Sequence, residues 1–160
     1  MRSKTRMGLF TVRGKLAGPE GRSEEVELLV DTAATLLTLP KDLADRLGVV
    51  PTRQQPVVTA GGRREVWPVG EVRLELDGQQ VTTPCFLRAC PENPSGTRDR
   101  GPRKSRSDFW GGLAPGGPVL LGAVALESLF LAVDPVAKKL VPVEGFVGPA
   151  SSRLGGVLWA

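Results

Sequence analysis

Glycine and proline interrupt this chain so often, at 20 and 14 of its 160 residues, that no apolar segment between them runs long. Short apolar runs bounded by turn formers favour an all-β domain over a helical one. Residues 9–16 read as a first strand, and residues 17–23, rich in Gly, Pro and charge, as the turn after it. Residues 26–30 read as a second strand, continuously apolar from Leu28, as expected of a strand buried on both faces. It runs straight into Asp31. Pro40, apolar Leu43, Ala44 and Leu47 at helical spacing, and Gly48 just beyond them predict one short helix over 41–47.

Residues 57–59 and 65–69 flank the Gly61-Gly62 turn and predict a hairpin. Val72, Leu74 and Leu76 alternate with Arg73 and Glu75, the period of a half-buried strand. The Asp77-Gly78 turn then returns the chain as a partner strand over 81–87. Order resumes at Val119-Leu120-Leu121-Gly122, with a second helix predicted over 124–131. Residues 131–133 and 139–143 frame Asp134-Pro135 as a closing hairpin. The expected organisation is one domain over 8–145, with 91–118 a basic surface insertion and 146–160 a loose tail.

Composition narrows the chemistry. The chain has no histidine, which rules out Ser-His-Asp and Cys-His hydrolases and the usual His-containing zinc sites. Acid-base work therefore falls to carboxylates, lysines or cysteines. Cys85 and Cys90 lie too far apart for a CxxC redox pair and lack companions for a metal site, so they read as two reduced thiols, with a local disulfide the alternative. No metal and no cofactor is expected. A net charge of +4 does not itself argue for nucleic acid. Arg98, Arg100, Arg103, Lys104 and Arg106 could contact phosphates, but no aromatic residue interleaves them, and a solvated loop is the better reading. Neither a signal-peptide-like apolar run at the start nor a membrane-length apolar stretch occurs, so a cytoplasmic protein off the membrane is expected.

The informative segment is Leu28-Leu29-Val30-Asp31-Thr32-Ala33-Ala34-Thr35. A buried strand ending in an acid is costly unless donors or a shared proton compensate for lost hydration. By itself, Asp-Thr after a strand also serves as a turn or a helix cap. Asp42 and Asp45 fall on the polar face of the first helix, Asp77 in a hairpin turn and Asp134 in another, and none of them follows a buried strand.

Three landmarks in order give the segment its meaning. The Asp31-Thr32-Ala33 loop, the glycine-bearing hairpin Thr59-Ala60-Gly61-Gly62-Arg63, and Leu120-Leu121-Gly122 followed by a helix together resemble the retropepsin-like aspartic proteases, in particular their small single-domain bacterial members. The resemblance implies a closed all-β acid-protease barrel with one or two short helices, active as a homodimer on an extended peptide or protein substrate. It implies that Asp31 is catalytic, one per subunit, with Thr32 and Ala33 in the same loop. Ala60, Gly61, Gly62 and Arg63 would form a flap over the substrate, and Ala34, Leu121 and Gly122 would support the site. One departure stands out: the family usually carries glycine where this chain has Ala33. A methyl group there is tolerated at negative φ but strained at positive φ. The alternative implied is a weakened or inactive member that binds peptides or serves as an assembly module.

Overall fold

The computed structural model describes residues 9–88, 117–145 and 147. The basic cluster at 98–106, Cys90 and the tail after 147 lie outside the described residues. The elements follow in the order β1 (Thr11–Ala17), β2 (Ser23–Val30), β3 (Leu37–Pro40), α1 (Lys41–Leu47), β4 (Arg53–Val58), β5 (Arg64–Leu76), β6 (Gln79–Arg88), β7 (Val119–Leu121), α2 (Ala123–Ser128), β8 (Leu131–Asp134) and β9 (Lys139–Pro142). Strands pair in the order β1-β2-β7-β3-β6-β5, and β1 pairs again with β5, which closes a six-stranded barrel. Closure removes the free edges that an open sheet of this size would expose. β4 pairs only with β5, outside that ring, and β8 and β9 form a separate two-stranded sheet.

The strands close on leucine and valine. Leu16, Leu28, Leu37, Leu74 and Leu121 are fully buried, and each such side chain contributes roughly 2 kcal/mol through the apolar surface it removes from water. On β5 the alternation expected at Val72, Leu74 and Leu76 holds, with Arg73 exposed between them. β2 alternates over Ser23–Glu27 and then buries Leu28, Leu29 and Val30 in succession. That change marks where the strand leaves the barrel surface and takes β7 as a parallel partner beside β1.

β7 is the short strand that makes the topology work. It runs parallel to β2 through Leu28↔Val119 to Val30↔Leu121, and antiparallel to β3 through Thr38↔Leu120. α1 ends on Gly48 in the left-handed conformation, where the cap N–H reaches back to Ala44 and Asp45 carbonyls. Arg46, in its last turn, donates to both carboxylate oxygens of Glu24 on β2, at 2.8 and 3.2 Å, and tethers the helix to the barrel. The guanidinium's hydrogen bonds hold the Glu24 carboxyl below its ordinary range.

Several boundaries differ from the sequence expectations. The predicted hairpin strands at 57–59 and 65–69 extend to Arg53–Val58 and Arg64–Leu76, so hairpin and barrel share one continuous β5. The second helix is shorter than expected and stops at Ser128, because Phe130 turns to a φ of 52° and directs the chain into β8. Asp134 acts as the turn residue anticipated: its Oδ1 accepts the N–H groups of Val136 and Ala137 at 3.0 and 2.9 Å. Among the described residues no helix is long and apolar enough to cross a membrane.

Candidate active site

Asp31 is the first residue beyond β2, and backbone contacts fix it on both sides. Its N–H donates to the Leu121 carbonyl at 3.1 Å, extending the β2–β7 pairing by one step. Its own carbonyl accepts the Ala34 N–H at 3.1 Å, and its carboxylate Oδ1 accepts the Ala33 N–H at 3.0 Å. The loop therefore folds tightly about the carboxylate, which stays half-buried while Thr32 and Ala33 are exposed. Thr32 makes no side-chain hydrogen bond among the described residues.

Ala33 is absent from the residues of positive φ, so its methyl group meets no left-handed backbone strain. The amide that donates to Asp31 is the amide of this residue. The substitution for glycine thus leaves the contact to the carboxylate intact.

Behind the loop lies the Leu121-Gly122 step. The Ala123 N–H donates to the Ala34 carbonyl at 2.9 Å and the Val124 N–H to the Thr35 carbonyl at 3.1 Å, so the first turn of α2 is bonded directly to the Asp31 loop. A Cβ on Gly122 would come within 2.5 Å of the Leu36 carbonyl oxygen and 2.8 Å of that of Ala34. Only glycine lets the two backbones approach this closely. Of the residues expected at the site, the structure joins Asp31, Ala33, Ala34 and Leu121 by hydrogen bonds, with Thr32 exposed in the same loop and Gly122 packed against the Ala34 and Leu36 carbonyls.

The expected flap residues form the tip of the β4–β5 hairpin. The Thr59 N–H donates to the Arg63 carbonyl at 2.9 Å and the Gly62 N–H to the Thr59 carbonyl at 2.8 Å. Gly62 carries a φ of 76° with open space around it, and Ala60, Gly61 and Arg63 are exposed beside it. One face of this hairpin is already engaged. Trp67 packs edge-on against Phe86 with ring centroids 5.8 Å apart, and its Nε1 donates to Glu65 Oε2 at 2.7 Å. Sequence reading passed over Trp67 and Phe86, because a single aromatic on each strand leaves no periodic signal.

The described residues hold no group of three or more His, Cys, Asp or Glu placed to ligate a metal. Cys85 is a free thiol on β6, and burial pushes its pKa up to about 12. Such a thiol is chemically inert at neutral pH. A shallow depression between β1 and β5, lined by Lys15, Ser23, Arg73 and Glu75, shares no residue with the Asp31 loop.

A family model described as aspartyl protease matches residues 12–93, just over half of the chain, and includes the Asp31 loop and the β4–β5 hairpin. The chain belongs to the aspartyl protease family. Its closed six-stranded barrel is the all-β architecture that the sequence landmarks implied. Among solved structures, the EIAV protease complexed with the inhibitor HBY-793 is similar at 15% identity and a TM-score of 0.47, over 88% of this chain and 99% of that one. A Legionella pneumophila protein of unknown function (DUF785) is similar at 17% identity and a TM-score of 0.42, over 78% and 90% of the two chains. No curated protein matches the chain.

Proposed function

We propose that this protein is an aspartic endopeptidase whose site is completed by two copies of the chain, each contributing one Asp31. The observation that carries the reading is the Asp31 loop itself. It is a carboxylate at the end of a buried strand, oriented by the Ala33 amide and bonded through its backbone to the Leu121-Gly122 step. One such loop supplies one carboxylate, and a two-fold axis between subunits supplies the second.

Two carboxylates at short range cannot both ionise comfortably, so the proposed pair shares one proton. Aspartic proteases are the standard example of this coupling. The ionised Asp31 takes a proton from a bound water, which attacks the peptide carbonyl carbon, while the protonated Asp31 of the other subunit hydrogen-bonds the carbonyl oxygen. Proton return to the amide nitrogen then breaks the C–N bond. Thr32, exposed and with a free hydroxyl among the described residues, would hydrogen-bond across the two-fold and hold the loops in register. The β4–β5 hairpin would close over an extended peptide and exclude water.

The negative φ of Ala33 supports the active reading over the peptide-binding alternative, because it removes the strain on which that alternative rested. Replacement of Asp31 by Asn tests the proposal. The parent should cleave a mixed peptide library and the variant should not, with unchanged circular dichroism. Equal cleavage by both would refute it.

A further inference from the structure

The two faces of the β4–β5 hairpin are unequal, and the difference bears on which peptides the enzyme takes. The β4 and β6 ladders on β5 each keep one register throughout, from Arg53↔Val69 to Val58↔Arg64 with β4 and from Val69↔Phe86 to Leu76↔Gln79 with β6. Strand side chains alternate strictly between faces, so the face that carries Val72, Leu74 and Leu76 into the barrel core continues along β5 to Pro68, Val66 and Arg64. Across the ladder Pro56 faces Val66 and Val58 faces Arg64.

This barrel-side face is apolar yet uncovered, with Val58 69% and Val66 62% exposed. The opposite face is covered or paired: Trp67 lies on Phe86, and Glu65 accepts from Trp67 and sits 3.6 Å from the Arg63 guanidinium. Arg64 is the charged member of the open face, and among the described residues it has no acidic partner. An aliphatic platform with one free guanidinium at its end complements a chain of matching character.

We propose that Arg64 is a specificity-determining residue, and that the barrel-side face of the hairpin selects extended peptides with aliphatic side chains near the scissile bond and an acidic side chain opposite Arg64. The inference rests on the hairpin being the cover of the substrate site, as set out above. Pro56, Val58 and Val66 supply the apolar contact, and Arg64 supplies the charge that orients the peptide.

The experiment profiles cleavage of a mixed peptide library by the full chain, and then compares matched Glu- and Lys-containing versions of the best peptide on the parent, Arg64→Glu and Arg64→Lys. The parent should favour the Glu peptide. Arg64→Lys should retain that preference, and Arg64→Glu should shift the kcat/KM ratio toward Lys by on the order of tenfold, the size expected for loss of attraction plus gain of repulsion at an exposed pair. A parent without acidic preference, or a ratio indifferent to Arg64→Glu, overturns the inference while Asp31-dependent cleavage leaves the proposed function standing. Absence of any Asp31-dependent cleavage overturns both.

Discussion

Ala33 sits where the sequence resemblance leads one to expect glycine, and its backbone shows why a methyl group fits there. Its φ is not positive, and its amide reaches the Asp31 carboxylate at 3.0 Å regardless of side chain. Ala33→Gly is therefore expected to leave cleavage of the same order and to lower stability by about 0.5 kcal/mol, because glycine frees the unfolded chain more than the folded loop. Urea unfolding curves and a rate assay on the same preparations check both halves. Cys85 gives a second prediction at this scale. Burial raises its pKa to about 12, so the folded state holds the proton more tightly than the unfolded one. A raised value means the stability it contributes is complete below the unfolded pKa of roughly 8.5 and is lost as pH rises toward 12. Site-resolved thiol labelling should find Cys85 unreactive at neutral pH and reactive on unfolding.

The β4–β5 hairpin combines a barrel strand with a projecting arm, and its stiffness depends on what covers the outer face. The Trp67–Phe86 contact ties the arm to β6 just above the point where β5 enters the ring. An edge-to-face aromatic pair contributes about 1 kcal/mol beyond its buried area. Trp67→Ala should speed hydrogen exchange across residues 53–68, leave the β1–β2 amides protected, and reduce cleavage through a looser cover. This element also shows how far the sequence could be read. Glycines 61 and 62 located the turn, and Asp77-Gly78 located the next one, because turn chemistry is local. The full extent of β4 was hidden, since Arg53-Gln54-Gln55-Pro56 carries no apolar alternation and is a strand only because β5 pairs with it. The Asp31 loop was legible in its residues, whereas its bonds to Leu121, Ala123 and Val124 required the long-range β2–β7 pairing. Whether Ala33 was strained depended on a dihedral angle, which no residue type reveals.

At the scale of the molecule, a barrel closed on leucine and valine positions one Asp31, one exposed Thr32 and one β4–β5 hairpin per chain. Each is half of what the proposed chemistry uses: a second carboxylate to share the proton, a second threonine to bridge, and a second hairpin to complete the cover. The central claim is thus that the reacting pair is made between subunits. Subunit mixing tests it most directly. Parent and Asp31→Asn chains are unfolded, combined, refolded and assayed at fixed total protein. If both subunits must carry Asp31, activity falls as the square of the parent fraction, and an equal mixture retains about one quarter of the parent rate. Activity that falls in simple proportion, with about one half retained by the equal mixture, would show that each chain acts alone and would contradict the account.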